Sequence, residues 1–316
     1  MPPHSDEPIT SLTQDVLQAF NDLNGRHPGF RPAHAKGVFL TGFFTPAQEA
    51  ASLTRAPHAL RESTPVTVRF SDFAGFPAVA DNDPNNASPR GIAIRFHLAA
   101  HEHTDIVAHS ADGFPARTGE EFLEFLHALK ASPPDTPHPA PIEVFLGSHP
   151  AALAFVQMPK PFPTSFVKES YFAVTALRFI NGSGEGKFGR FRVRPEGGAD
   201  YLRDASEKAP NYLVDEITER VATGPVKLRI VVQVAAPGDV TDDATVHWPE
   251  DRTNVPFGMV TLTGRIPNDD ADVKRIIFDP IPRVDGVEPS GDPLLAVRAN
   301  IYLRSGRRRR AGDPSM

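Results

Sequence analysis

The sequence contains no cysteine. That absence removes disulfides, thiol nucleophiles and every cysteine-ligated zinc, iron–sulfur or haem site. Other easily oxidised side chains are scarce, with Met 4 and Trp 1, which suits a protein that meets oxidants and equally suits a high-GC genome. Basic residues are not in excess. Lys+Arg 33 against Asp+Glu 39 gives a net charge of −6, which disfavours sequence-independent nucleic-acid binding. No apolar run approaches the ~18 residues that a membrane helix needs, so no transmembrane segment is expected. The N-terminus, MPPHSDEPITSLTQDVLQAF, is acidic early and has no apolar h-region. It is not read as a secretory signal, and a cytoplasmic location is the expectation.

What is present is a globular balance, with 40% hydrophobic and 23% charged residues over 316 positions, enough for a substantial core. Residues 10–24 carry Leu12, Val16, Leu17, Phe20 and Leu23 at helical spacing behind Thr10 or Ser11. Strand-like runs follow at 38–44, 64–73, 91–100 and 104–110, with others in YFAVTALRFI, KFGRFRVRP, KLRIVVQVAA and GMVTLTGRI. Residues 118–131 open with Thr118 and Glu121 at capping-box spacing. Helical segments are expected near 198–206 and 210–222. A last helix over about 291–305 starts at Asp292 with Pro293 at its first position, followed by a solvated basic tail. No repeat and no linker divides the chain. The pattern predicts one α+β domain around a large antiparallel barrel over about 34–266, with helices at both ends.

Several residues could carry chemistry. Arg298 and Tyr302 are i and i+4 on the last helix. A phenol that binds a metal as phenolate needs a neighbouring cation to favour the charged form, and an arginine one turn back supplies one; a surface Arg packed over a Tyr is the plain alternative. His34 lies in a Gly/Pro-flanked turn, where it could shuttle protons or be structural. Arg31, Lys36 and Arg69 could hold anionic groups. His97, His101, His103 and His109 with Asp105 suggest a metal cluster, but a solvated loop fits better, since His97 and His103 need not point the same way. Gly182, Gly184, Gly186 and Lys187 lack the spacing of a phosphate loop and read as a hairpin turn.

In order, RPAHAKG, TPVTVRFS with SPRGIAIRF, DIVAHSADGF with FLEFLH, DDATVHWPEDR, FDPIPRVDGVEPSGDPLLAVR and RANIY resemble the successive motifs of the haem catalase family. The resemblance spans roughly residues 28–310 and, by length, points to its minimal branch of catalase-related peroxidases. It implies a catalase-like antiparallel β-barrel with haem b buried against it. Tyr302 would be the iron ligand, with Arg298 as its partner, in keeping with tyrosine ligation. His34 would be the distal acid–base residue, oriented by Ser71. Arg31, Arg69 and Arg309 would match propionate-binding positions, and Phe114 and Phe122 would shape the distal pocket. Peroxide and a small organic electron donor are the implied partners, and neither a nucleic acid nor a membrane is.

The chain also departs from the family pattern. His109 stands where the family has asparagine, and as an imidazole it is expected to titrate near neutral pH. Ala33 replaces a bulky valine, Ser88 a channel aspartate, and the residues after Tyr302 lack the usual Asp-Thr pair. These changes predict a wider or less polar route to the haem and a peroxidase with weak or no catalase activity. Rearrangement of an organic hydroperoxide, oxidation of a metabolite, and a non-catalytic haem carrier or sensor are the alternatives. The oligomeric state is not legible.

Overall fold

Alternation of apolar and polar residues decides the centre of this fold, because successive strand side chains point to opposite faces. The computed structural model describes residues 7–267 and 270–311. The first alternating runs form β1 (Gly37–Pro46), β2 (Thr64–Ser71), β3 (Gly91–Ala99) and β4 (Glu102–His109). Later ones form β5 (Tyr171–Phe172), β6 (Gly186–Pro195), β7 (Val226–Val234) and β8 (Asn254–Ile266). The strands pair antiparallel in the order β7–β8–β1–β2–β3–β4–β5–β6, and β6 pairs with β7 to close an eight-stranded barrel. The α+β expectation holds.

The barrel interior is apolar. Val38, Leu40, Val68, Phe70, Ile92, Ile94 and Phe96 are buried there. Phe44 meets Phe96 edge to face at 5.1 Å and stacks on Phe257 at 5.7 Å. Burying each such ring contributes about 1.5–3 kcal/mol. The register sets the opposite face in rows. Gly37, Ser71, Gly91 and His109 lie side by side across β1–β4; Phe39, Arg69, Ala93 and Val107 form the next row, and Thr41, Thr67, Arg95 and Asp105 a third.

Outside the barrel lie α1 (Glu7–Asn24), α2 (Gly119–Lys130), α3 (Tyr212–Thr223) and α4 (Leu294–Ala311). Thr118 Oγ1 caps α2 by accepting from Glu121 N at 3.2 Å, and Asp292 Oδ1 caps α4 by accepting from Leu294 N at 2.9 Å. Val16, Leu17 and Phe20 of α1, Leu126 of α2, and Val297 and Ile301 of α4 form a second core. Among the described residues no helix is long and apolar enough to cross a membrane.

Three expectations are corrected. Thr10 and Ser11 do not cap the first helix but lie within it, since it already includes Glu7. Residues 198–206 form no helix; Tyr201–Leu202 is a short strand paired with Phe162–Pro163. With only two alanines (Ala199, Ala205) beside Tyr201 and Leu202, that stretch has no substantial helical face to bury. The last helix does not stop near residue 305 but runs to Ala311. In its basic end Arg307, Arg308 and Arg310 are exposed, as expected, but Arg309 turns inward and is buried, donating not to a carboxylate but to Ile276 O at 2.8 Å and Lys274 O at 3.2 Å. Gly306 permits this seat, because a Cβ there would collide with Ile277. The remainder of the expected tail, 312–316, lies outside the described residues.

Candidate active site

The loop between α1 and β1 carries His34 in the left-handed region, with φ +57°. For a non-glycine residue that costs about 1–2 kcal/mol, so the turn has to be held. His34 N donates to Phe73 O at 2.7 Å and Ala35 N to Ala74 O at 2.9 Å. Arg69 Nη2 donates to His34 O at 2.8 Å. The turn lays the imidazole on the outer row of the sheet, where Nδ1 is 3.1 Å from Ser71 Oγ. Gly91 makes the space: a Cβ there would stand 2.7 Å from Ser71 Oγ and 2.9 Å from His34 Nδ1. The ring also hydrogen-bonds the Asp72 backbone. Burial and then the Arg69 charge lower its pKa to about 3, so His34 is a neutral imidazole at neutral pH.

His109 closes the same row from the end of β4. Its Nδ1 accepts from Ala111 N at 3.3 Å. Burial first, then Arg298, lower its pKa to about 4. The expectation of titration near neutral pH is therefore corrected, because nearby cations and a dry setting both oppose the imidazolium. Phe114 lies 6.5 Å from the His109 ring and 5.0 Å from Phe122. The aromatic residues named from sequence thus form one wall beside His109.

Tyr302 and Arg298 face this region from α4. Arg298 Nη2 donates to the Tyr302 phenol oxygen at 3.3 Å, while Nη1 donates to Thr175 Oγ1 at 2.9 Å. The guanidinium is thereby pinned between the helix and the bend at Thr175 that follows β5. Tyr302 is half-buried and packs against the α1–α2–α4 core alongside Ala33 and Phe122. The neighbour of His34 and the phenol therefore share one apolar cluster.

Three arginines gather at another side. Arg31 Nη2 and Arg309 Nη2 both donate to Ile276 O, at 3.2 and 2.8 Å. Arg31 and Arg69 both lie over the Phe39 ring, at 5.8 and 5.5 Å. Burial first, and then neighbouring guanidiniums, lower all three: Arg31 beside Arg69 and Arg309, Arg69 to about 9 beside Arg309, and Arg309 to about 10 beside Arg310. Their side-chain bonds among the described residues go to backbone carbonyls, and buried Arg69 Nε has no partner. Desolvated cations held this way are complementary to an anion.

The other histidines do not join. His97 and His103 lie not in a solvated loop but in paired strands, where they are cross-strand partners on one face. Yet His97 Nε2 binds Thr67 Oγ1 at 2.9 Å, and Asp105 is taken by Arg95 through bonds of 2.9 and 2.7 Å. Among the described residues no group of acidic and histidine side chains is arranged to hold a metal ion. Residues 181–185 form the hairpin turn between Leu177–Ile180 and β6, whose first residues Gly186 and Lys187 pair with Ile180 and Phe179. Sequence reading missed Phe73, edge-on to His34 at 5.7 Å, and Phe39, Gly91 and Thr175. Only the two-residue period around Arg69 and Ser71 could have marked Phe39 and Gly91, once strand pairing was known.

These features can be set beside known proteins. A catalase-related peroxidase of Mycolicibacterium paratuberculosis is 33% identical over 308 residues, covering 96% of each chain. Another, from Synechococcus elongatus, is 33% identical over 310 residues, covering 96% of this chain and 90% of that one. The structure of a fungal catalase superposes with a TM-score of 0.78 at 22% identity, over 93% of this chain and 62% of that chain. The chain thus has the catalase fold at about six-tenths of that catalase's length. With the signature described as Catalase matching residues 13–314, the chain belongs to the catalase family.

Proposed function

We propose that the chain is a haem-dependent, catalase-related peroxidase that reduces hydrogen or organic peroxides with an organic electron donor. The observation that carries the reading is that the His34–Ser71 pair lies beside Arg31 and Arg69, while Arg298, which holds the Tyr302 oxygen, reaches toward His109 on the same row of the sheet. Family membership implies haem, and the residues present fit it. A porphyrin with two carboxylates answers the need of Arg31, Arg69 and Arg309, including the orphaned Arg69 Nε, for an anionic partner. The Tyr302 oxygen, already accepting from Arg298, is a suitable iron donor. Haem b is the form we assign.

Bound haem supplies the iron and the one-electron chemistry that no side chain here has. The remaining work falls to the protein. Ser71 and the Asp72 backbone orient His34, so that Nε2 can take a proton from one peroxide oxygen and return it to the other. That second oxygen leaves as water. A neutral imidazole is required for the first transfer, and burial beside Arg69 keeps His34 neutral. Arg298 holds the Tyr302 oxygen in place and supports negative charge on it. Two molecules of donor AH complete the balance, H2O2 + 2 AH giving 2 H2O and two A radicals. His109 in place of asparagine and the small Ala33 beside His34 favour larger donors over dismutation.

The test compares oxygen evolution from hydrogen peroxide with oxidation of a bulky phenol by the haem-loaded protein. Donor oxidation should exceed dismutation. Fast oxygen release with little donor oxidation would make the protein a small true catalase. Loss of both with haem bound would overturn the enzymatic reading.

A further inference from the structure

We infer that His109 presents its Nε2–H as a fixed hydrogen-bond donor to the peroxide whose proton His34 accepts, so that two imidazoles in opposite tautomers replace a histidine–amide pair. The inference rests on the proposed function and identifies how this chain positions its substrate. It begins with a backbone constraint. A peptide N–H only donates, and that of Ala111 points at His109 Nδ1 from 3.3 Å. Nδ1 must therefore carry the lone pair, and the neutral ring carries its hydrogen on Nε2. Arg298 and Arg192 lie close enough to oppose a second proton.

His34 is anchored in the complementary way. Its Nδ1 edge meets Ser71 Oγ at 3.1 Å, and the ring also bonds the Asp72 backbone. The Asp72 bond favours the protonated ring, so the ring donates a hydrogen there; with that hydrogen on Nδ1, Nε2 is the acceptor. The two rings stand on one row of the sheet, with only Gly91 between Ser71 and His109, and His109 is near enough to oppose charge on His34. Hydrogen peroxide is both a donor and an acceptor. Between these rings it can give a hydrogen bond to His34 Nε2 while receiving one from His109 Nε2–H. Phe114, 6.5 Å from the His109 ring, limits its swing, so the donor direction is set before substrate arrives.

The test uses cyanide on the ferric haem-loaded protein, since HCN leaves its proton on a base and its anion accepts a hydrogen bond. His109→Phe should weaken cyanide binding about tenfold or more, the worth of one buried hydrogen bond to a charged group. His109→Asn, which keeps an N–H donor, should stay within about threefold, a shift of ~0.65 kcal/mol. In protein loaded with zinc protoporphyrin, a diamagnetic stand-in, nitrogen-15 spectra of labelled histidine should show His109 unprotonated at Nδ1. Unchanged cyanide binding in His109→Phe, or a hydrogen on His109 Nδ1, would overturn the inference. His34→Ala separates the two levels. If it weakens binding while His109→Phe does not, only this inference fails; if neither has an effect, the distal assignment itself fails.

Discussion

The two faces of β1–β4 obey different rules although they belong to the same residues in the same register. Toward the barrel axis stand Val38, Leu40, Val68, Phe70, Ile92, Ile94 and Phe96, buried and apolar. One residue along each strand, on the other face, stand Gly37, Arg69, Ser71, Gly91 and His109. The inner face is held by area removed from water, a term that does not depend on direction. The outer face depends on hydrogen-bond direction, on guanidiniums without carboxylate partners, and on the missing side chain at Gly91. Stability resides on one side of the sheet and chemistry on the other.

The strongest test of that division removes the acid–base group. His34→Ala should lower peroxide-dependent turnover by about 10²–10⁴-fold, while the haem absorption band and the melting temperature stay in place. Retained turnover would break the comparison. The mirror experiment is Phe96→Ala, which empties a fully buried ring site. It should cost about 3–5 kcal/mol in urea unfolding, with turnover per folded molecule near that of the parent. A smaller effect sharpens the boundary. Gly91→Ala sets a methyl against Ser71 and His34, and should lower turnover by roughly tenfold, which corresponds to ~1.4 kcal/mol, with little change in the urea midpoint. If stability fell and activity did not, the close approach at Gly91 would serve packing alone.

The smallest effect is on pH dependence. His34 and His109 are lowered to about 3 and about 4 in the fold, against about 6.5 in an unfolded chain. Below that value the unfolded chain takes up protons that the native one does not, so stability is complete above pH ~6.5 and falls as the solution is acidified. Each imidazole should account for about 1 kcal/mol between pH 6.5 and 5.5. Urea midpoints at the two pH values check this, and His34→Gln should remove its share of the slope.

Much of this was legible in the residues. Period-two runs gave the barrel strands, Thr118 and Asp292 marked helix starts that the structure keeps, and ordered motifs named His34, Ser71, Tyr302 and the arginines. The illegible part was long-range. Residues 198–206 are helical in composition only weakly, and their partner Phe162–Pro163 lies some 40 residues away in sequence. Arg309 is named by its motif spacing, but its composition alone does not set it apart from the exposed Arg307, Arg308 and Arg310; Ile276 and Lys274 beneath it do. His109 reads as a neutral-pH titrator until Arg298, 189 positions later, is placed near it.

By itself the sequence determined which side chains alternate, which residues cap and which chemical groups are available, because those properties depend on near neighbours along the chain. The tertiary structure alone decided that Gly91 lies against His34, that among the described residues three arginines bond backbone carbonyls and no carboxylate, and that Ala111 N points at His109 Nδ1. The first two depend on groups brought together from distant strands and helices. Desolvation and hydrogen-bond direction exist only once those groups are packed.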